Sequence, residues 1–445
     1  MRVLAIALLV GCYHPREVAG VPCAANGECP SGQSCDFTRS PPICIGPGGG
    51  DGGFDTIQMD APLACVDNTA CSAADPICDG TTHTCRGCVA DTECAPGVCT
   101  EYNGECVVEE LVVFVSPPPV GDNANPCTAA APCATLDYAL SQVTAARRVI
   151  RVGDGTYMRS GSSQINVSSG FVVYSGERLD YVGGATIKAT STSTANPPVA
   201  QINQGATVVI EGVSLSGNND AVRYGGALTL SHVDIEGTNG DGITTNNTNN
   251  ATSLSVLACR IANNKDTGIS VQNGSVYVDR TIVYKNANDG LDISQPTSAT
   301  IVNSIVAGNT GFGVRFMAAK NGVVPLVEFS TIAQNTQSPG VNCDNSGKVT
   351  VYESIVYGNG ANAAPSLCSM ASATYSLFSD VPIPPGIGNV GGDPAFVDAV
   401  NGDFHIGATS AARSQGDQQH ATLAHDFDGE ARPQNIYDIG ADEIP

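Results

Sequence analysis

The sequence lacks tryptophan and only 5% of its residues are aromatic, so a large core of mixed aliphatic and aromatic side chains is not expected. Cations are also scarce. Twenty lysines and arginines, of which five are lysines, face 43 acidic residues, and the net charge is −23. Nucleic acids and anionic membranes bind clustered basic residues, so the composition argues against both as partners. What the chain does contain is 50 glycines and 18 cysteines in 445 residues. This favours a thin, repetitive β-architecture in an exported, oxidised protein.

An apolar run over residues 3–10 follows a single basic residue, Arg2. It is too short to cross a hydrocarbon core of about 30 Å, and it is typical of a signal peptide. The run ends in Leu-Val-Gly-Cys, at Cys12, which resembles the lipobox of bacterial lipoproteins. The resemblance implies a signal peptide over 1–11, lipid attachment to Cys12, and anchoring through the lipid at the outer membrane or cell surface. The alternative is an ordinary secretory signal that happens to precede a cysteine.

Twelve cysteines form three groups of four, and each group opens with two cysteines separated by five residues. Modules of this size are too small to bury a core, so we expect two disulfides to hold each of them. The pairing within a module is one of three choices and stays open. The groups are Cys23, Cys29, Cys35 and Cys44; Cys65, Cys71, Cys78 and Cys85; and Cys88, Cys94, Cys99 and Cys106.

Zinc is the alternative to disulfides, because Cys85 and Cys88 form a CxxC pair. These two cysteines belong to neighbouring groups, and neither a second CxxC nor a histidine pair follows at finger spacing. The arrangement resembles the cysteine-rich stalk repeats of bacterial surface proteins. We therefore expect a disulfide-stapled stalk over 12–110, with a glycine-rich linker over 45–62.

The segment 111–157 has the pattern expected for the N-terminal cap of a parallel β-helix. Residues 111–115 and 149–152 are rich in β-branched side chains and predict strands, and apolar residues at helical spacing after Thr135 predict a short helix between them. Cys127 and Cys133 are expected to brace the intervening loop. A solenoid needs such a cap, because its first turn would otherwise expose an apolar end.

A repeat of 20 to 28 residues follows, with an aliphatic anchor in each copy, in most copies an asparagine three to five positions later, and then a glycine that opens an alternating segment. Alternation indicates strand, and Asn and Gly are typical of corners with positive φ. Turns stacked about 4.8 Å apart would place the asparagines in a hydrogen-bonded ladder. The anchors are Val213, Val233, Ile261, Ile282, Ile305, Ile332 and Ile355, and the asparagines are Asn218, Asn264, Asn286, Asn309, Asn335 and Asn359.

Three further cysteines lie within the repeat. Cys343 and Cys368 are 25 residues apart, which is one turn, so we expect a disulfide between neighbouring turns, with two buried thiols as the alternative. Cys259 is left over and is expected to be a buried free thiol.

Three spaced motifs lie near the end of the chain: Gly-Asp-Pro-Ala-Phe from Gly392, Gly-Asp-Phe-His-Ile from Gly402, and Asp-Ile-Gly-Ala-Asp-Glu from Asp438. They resemble the closing segment of parallel β-helix proteins of the choice-of-anchor Q type, which have a pectin-lyase-like fold. The resemblance implies an all-β fold with a right-handed parallel β-helix over 158–390 and a C-terminal cap over 391–445. It implies no activity, because that family has no single one.

One outward column of side chains can be constructed from the alternation after each corner. Asp292 and Arg315 would lie one turn apart in it, and with Arg223 they are the candidate catalytic residues of a lyase, which needs a base and a cation beside a substrate carboxylate. Four acidic residues at the preceding corner are candidate Ca²⁺ ligands: Asp220, Asp241, Asp266 and Asp289. The inward residues are Val222, Ile243, Ile269, Leu291, Val314 and Val341, and the outward ones are Arg223, Thr244, Ser270, Asp292, Arg315 and Asn342.

These polar residues also fit a protein without catalysis. Asp-Gly suits a turn, an exposed Asp–Arg pair contributes little free energy, and the column has no aromatic residue to stack a sugar. His405 and Tyr437 are expected to be packing residues. We therefore expect a cell-surface lipoprotein whose β-helix has a structural, adhesive or glycan-binding role, with polysaccharide or cell-surface components as partners and Ca²⁺ as the one cofactor considered. The alternative is a carbohydrate-active enzyme on acidic polysaccharide, a polysaccharide lyase before a glycoside hydrolase.

Overall fold

The computed structural model divides into two units, residues 1–108 and 109–445, which are described separately. The predicted signal peptide, Cys12, Cys23, Cys29, nearly all of the linker and the side chains of Cys35 and Cys44 lie outside the described residues. Within the described part, no helix has the length and apolar character needed to cross a bilayer. The structure describes residues 34–36, 43–45 and 65–444, except 161, 177–183, 191–196, 218, 246–251, 318, 320–321, 338, 344–347, 361–366, 370, 380–381, 418–422 and 434–436.

The N-terminal unit is built from small antiparallel hairpins that disulfides hold together. In both described modules the first cysteine bonds the third and the second bonds the fourth, which decides between the three possible pairings. Disulfide-bonded cysteines form much of the buried cluster of this unit, in which Ile77 packs with Cys88 and Cys99. The bonds are Cys65–Cys78, Cys71–Cys85, Cys88–Cys99 and Cys94–Cys106. The elements are strands Ser34–Asp36, Ile43–Ile45, Ile77–Cys78, Cys85–Arg86, Val98–Thr100 and Glu105–Val107, the 3₁₀ turn Asn68–Ala70 and the helical turn Asp91–Cys94.

The C-terminal unit is a parallel β-helix, as the sequence predicts. Parallel strands stack turn upon turn into a 17-stranded and an 11-stranded sheet. The larger sheet contains two lines of strands, joined by the long strands Ile269–Asp279 and Leu291–Val302, which take part in both lines. We call these lines face 1 and face 2, and the 11-stranded sheet face 3.

The three faces have the following strands. Face 1 contains Ile165–Val167, Ala200–Ile202, Val222–Tyr224, Ile243–Thr245, the first parts of the two long strands, Val314–Met317 and Val341–Cys343. Face 2 contains Val112–Val115, Val149–Val152, Gly170–Gly176, Ala206–Glu211, Ala227–Ser231, Ser253–Leu257, the second parts of the long strands, Leu326–Glu328, Val349–Tyr352 and Ala371–Thr374. Face 3 contains Gly155–Ser160, Ala185–Thr190, Val213–Gly217, Asp234–Glu236, Arg260–Ala262, Ile282–Tyr284, Ile305–Ala307, Thr331–Ala333, Ile355–Tyr357, Leu377–Phe378 and Val390–Gly391.

A short helix, Leu136–Ser141, packs beside the first strands of the β-helix. The Thr135 hydroxyl accepts a hydrogen bond from the Tyr138 N–H and caps the helix N-terminus. Leu136 and Ala139 are buried against the first turns, and a disulfide joins Cys127 to Cys133 in the preceding loop. The helix thus covers apolar side chains that the first turn would otherwise expose.

The asparagine ladder forms inside one corner of the β-helix. Each side-chain amide donates to the side-chain carbonyl of the next asparagine, at 2.9–3.0 Å, from Asn264 through to Asn359. The second amide hydrogen goes to a main-chain carbonyl of the preceding turn, for example from Asn309 to Val283 at 3.1 Å. These buried polar groups are therefore satisfied within the fold. The positive φ lies one residue before each ladder asparagine, for example at Lys285 and Gln334.

A second ladder, which the sequence analysis missed, runs along another corner. There the hydroxyl of one turn accepts from the main-chain N–H at the matching position of the turn before, at 3.1–3.2 Å. The series runs from Cys259 N–H through Thr281, Ser304, Ser330 and Ser354 to Ser376. A small hydroxyl residue directly before the aliphatic pair of most of these turns is the signal that could have predicted it.

Five of the predicted anchors belong to two different columns of face 3, while Val213 and Val233 lie two residues before the inward column. Ile261 and Ile332 stack with Val283 and Val306 inside the β-helix, whereas Ile282, Ile305 and Ile355 stack on the outside of the sheet. The outward isoleucines are nevertheless largely buried, because the C-terminal segment covers them. Alternation could not distinguish the columns, since both are apolar.

The C-terminal segment, residues 392–444, packs on the outside of face 3. It contains the hairpin Phe396–Asp398 with Asp403–Ile406. Phe404 lies edge-on to Tyr284, with ring centroids 6.0 Å apart. The buried Arg432 stacks 4.3 Å above the Phe329 ring and bonds Glu443 at 3.1 Å. The segment therefore reaches back along several turns of the β-helix.

Candidate functional site

A column of polar side chains runs up the outside of face 1, and we call it the polar column. Strand register places the six predicted outward residues on successive turns, and it adds Asn166 and Gln201 on the two turns before. The six predicted inward residues are all fully buried. Strand alternation was therefore sufficient to assign this face. The column is Asn166, Gln201, Arg223, Thr244, Ser270, Asp292, Arg315 and Asn342.

Arg315 is held by two carboxylates of the preceding turn. Its Nε and Nη2 lie 3.2 and 2.5 Å from the two carboxylate oxygens of Asp292, which is the pair predicted from sequence. Its Nε also lies 3.2 Å from Oδ2 of Asp289. The Asp289 side chain is only 3% exposed, and burial raises the pKa of its carboxyl. Arg315 is thus neutralised within the fold and compensates a buried acid.

Arg223, further along the column, is held by one carboxylate, that of Asp220 at the corner just before it. Its Nη2 lies 2.5 Å from Oδ2 of Asp220, whose side chain is 10% exposed. The other Asp220 oxygen accepts from the Asp241 N–H at 3.0 Å. Both predicted cations of the polar column are therefore already engaged with carboxylates.

The four candidate Ca²⁺ ligands do not form one row. Main-chain bonds place Asp220, Asp241 and Asp289 in one column with Thr267 between the last two, while Asp266 lies one residue out of register and is exposed. Asp266 accepts from the Asn288 amide at 3.0 Å. Among the described residues, the groups of three or more possible ligands that converge within 4.8 Å include none of these four aspartates. The corner carboxylates instead cap N–H groups of the next turn, as Asp289 caps Phe312 at 2.8 Å.

Asp241 is the corner acid whose pKa is raised most. Burial, together with the carboxylates of Asp266 and Asp220, raises its pKa to about 7. The Thr267 N–H, which donates to Asp241 at 3.0 Å, opposes this rise. A carboxyl group with a pKa near neutrality is suited to proton transfer, so Asp241 is a candidate general base that the sequence analysis assigned only to Ca²⁺.

Phe312 is an aromatic residue that borders the polar column. It is half-buried at the corner before Arg315, and its ring centroid lies 6.0 Å from that guanidinium. The column itself has no aromatic side chain, as predicted. Residues 246–250, which follow Thr244 and Thr245 in the chain, lie outside the described residues.

His405 and Tyr437 in the C-terminal segment were both expected to be packing residues, but only Tyr437 is buried. Tyr437 is buried and lies edge-on to Phe329, with centroids 6.3 Å apart. His405 is 40% exposed, and its ring nitrogens contact Asp403 at 2.5 Å and Asp428 at 2.8 Å. Hydrogen bonding to Asp428 is the main cause that raises the His405 pKa to about 10. His405 is therefore a surface ion-pair residue and not a packing residue.

Comparison with known proteins bears on the fold. The family model of the right-handed β-helix region matches residues 247–380, which confirms the predicted handedness. Among solved structures the chain is similar to pectate lyase Pel9A, with a TM-score of 0.46, 16% identity, and coverage of 75% of this chain and 96% of the other. It is also similar to a rhamnogalacturonan lyase, with a TM-score of 0.45, 13% identity, and coverage of 73% and 95%. No curated protein matches. At these scores the two structures carry no argument about activity.

Proposed function

We propose that this protein displays its β-helix as a non-catalytic binding surface for a neutral polysaccharide, with the polar column as the contact. The observation that carries the proposal is that the charged residues of the column, Arg223, Asp292 and Arg315, are held in ion pairs within the fold. The uncharged side chains at Thr244, Ser270 and Asn342 are partly exposed. Thr244, Ser270 and Asn342 offer donors and acceptors at a spacing of about 4.8 Å per turn. Phe312 adds an apolar surface at the edge of the column.

Charge favours a neutral ligand over a polyuronate. A lyase substrate carries carboxylates that a bound Ca²⁺ or an unengaged arginine must neutralise. Here Arg223 and Arg315 are paired with Asp220, Asp289 and Asp292, and the whole chain carries a net charge of −23. An acidic polymer would be repelled by this field.

The N-terminal part of the chain would hold the β-helix at the cell surface. A lipid on Cys12 and disulfide-held modules after it would anchor the β-helix outside the cell without a membrane-spanning helix. The four described disulfides of the modules fit an oxidising location.

The second candidate function is a carbohydrate-active enzyme, and the observation that favours it is Asp241. Its pKa of about 7 and its position beside Thr244 of the polar column are what a general base needs. In that case Asp241, rather than Asp292 held by Arg315, would take the proton.

Binding is tested by affinity electrophoresis and calorimetry of the full chain with neutral and uronate polysaccharides. A double variant, Thr244→Ala with Ser270→Ala, removes two hydroxyls from the polar column. The matched control is Thr229→Ala with Ser255→Ala, which removes the same groups from adjacent turns of face 2, where they are equally half-buried. The proposal expects neutral-glycan binding that the first pair weakens at least tenfold and the second leaves unchanged. Equal effects of the two pairs would contradict it.

A further inference from the structure

The C-terminal segment gathers one imidazole and three carboxylates at a point away from the polar column. His405 and Asp403 come from the second strand of the hairpin, Asp428 from a tight turn, and Asp442 from the end of the chain. One ligand atom each from His405, Asp428 and Asp442 lies within 4.8 Å of the other two. Three stretches that are far apart in sequence therefore converge there.

Main-chain hydrogen bonds fix each of the three stretches. Asp442 accepts from the Ile406 N–H at 2.7 Å, which ties the chain end to the hairpin. The turn that carries Asp428 is held by Asp426, whose Oδ1 accepts from the N–H groups of Asp428 and Glu430 at 3.1 and 2.8 Å. Asp442 itself is 7% exposed, so its carboxylate is directed into the protein and not into solvent.

The carboxylates of Asp403, Asp428 and Asp442 lie around the imidazole of His405. The buried Arg432 is engaged elsewhere, with Glu443, the Asn303 amide oxygen and the carbonyls of Gly440 and Ala441. These carboxylates would attract a divalent cation.

The second nitrogen of the imidazole points to a particular kind of cation. Nδ1 of His405 lies 2.5 Å from Oδ1 of Asp403, while Nε2 faces Asp428. A carboxylate on the outer ring nitrogen is the usual support of a metal-bound histidine, because it fixes the ring and its tautomer. Imidazole with carboxylates suits Zn²⁺ and similar transition metals rather than Ca²⁺, which prefers oxygen ligands alone.

We propose that His405, Asp428 and Asp442 bind one divalent transition-metal ion, with Asp403 as the residue that orients the imidazole. Three protein ligands leave a fourth tetrahedral position for water, which the 40% exposure of the His405 side chain allows. The bound ion would fasten the hairpin, the tight turn and the chain end to one another over face 3. The proposal is independent of the function proposed for the polar column.

Calorimetric titration of the full chain with Zn²⁺, after removal of metal with a chelator, tests the site. We expect one His405-dependent ion per chain and a melting temperature that rises with Zn²⁺ concentration. His405→Ala should abolish both effects, Asp403→Asn should weaken affinity by about 10–100-fold, and His83→Ala, in the N-terminal unit, should change nothing. Circular dichroism shows whether each variant is folded, and Asp428→Asn, which keeps the side-chain shape, repeats the test should His405→Ala unfold.

Three results would overturn the proposal. The first is Zn²⁺ binding that both His405→Ala and Asp428→Asn retain. The second is the absence of any Zn²⁺ binding or thermal shift in the unaltered chain. The third is Ca²⁺ binding in place of Zn²⁺ that persists in His405→Ala, because the carboxylates would then act as an acidic surface without the imidazole.

Discussion

Asp292 and Arg315 lie directly opposite each other on adjacent turns of face 1, and the guanidinium contacts both oxygens of the carboxylate. The same guanidinium reaches the buried Asp289 at 3.2 Å. The cation therefore has two partners with different surroundings, and removing it is not equivalent to removing Asp292.

This asymmetry gives the first prediction. Asp292→Ala should lower the free energy of unfolding by less than about 1 kcal/mol, because a partly exposed pair contributes little. Arg315→Ala should lower it by about 2–3 kcal/mol, because Asp289 is left buried without its cation. Urea unfolding of both variants at pH 7 measures the difference. Equal losses would show that Asp289 does not depend on Arg315.

The asparagine ladder gives the second prediction. Asn309→Ala should lower the free energy of unfolding by about 3–5 kcal/mol, because it leaves several buried groups of the two neighbouring turns without partners. The control is Asn288→Ala, an exposed asparagine that bonds the exposed Asp266 and should cost less than about 0.5 kcal/mol. Thermal unfolding followed by circular dichroism compares the two. Similar melting temperatures for both variants would show that the ladder does not stabilise the fold.

The third prediction concerns pH. Glu353 is buried under the C-terminal segment, and burial raises its pKa from 4.5 to about 8. The folded protein therefore keeps a proton that the unfolded chain releases above pH 4.5, so this carboxyl lowers stability progressively as the pH rises from about 4.5 to about 8. Glu353→Gln keeps the oxygen that accepts from the Asp417 N–H and removes this pH-dependent loss.

The unaltered protein and Glu353→Gln should therefore have similar stability near pH 4.5. By pH 9 the variant should be more stable by on the order of 2–4 kcal/mol. Denaturant unfolding across this range measures the gap. A gap that stays constant with pH would contradict the assignment of the raised pKa to Glu353.

The disulfides of the β-helix give the fourth prediction. Cys343–Cys368 closes a loop with a sequence separation of 25, and Cys127–Cys133 one of only 6. In the chain-entropy model the longer loop contributes about 3–4 kcal/mol and the shorter about 2 kcal/mol. The test replaces each cysteine pair with two alanines and measures by urea unfolding which variant loses more stability. A larger loss for the shorter loop would show that native contacts of that loop, and not chain entropy, dominate.

Much of the fold follows from local pattern. The inward residues of face 1, the polar column, the asparagine ladder and the short helix after Thr135 all depend on alternation, turn residues or helix capping, which act over a few residues. The anchors Ile282, Ile305 and Ile355 were not recognised as outward residues, because the segment that buries them lies more than 30 positions further along the chain. Local pattern also does not reveal contacts between residues that are distant in sequence. For this reason the pairing of Arg315 with Asp289, the contact of Arg432 with Phe329 and the surroundings of His405 were not predicted. Each joins residues whose proximity depends on stacking or on the path of the C-terminal segment.

The central claim, binding at the polar column without catalysis, is tested most directly by product formation. The full chain is incubated with acidic and neutral polysaccharides, with and without Ca²⁺, and followed by the absorbance of unsaturated uronates and by reducing ends. The account predicts no products on any polymer while neutral glycans still bind. Products that appear with the unaltered protein and disappear in Asp241→Asn, or in Asp292→Ala and Arg315→Ala, would contradict it and establish an enzyme.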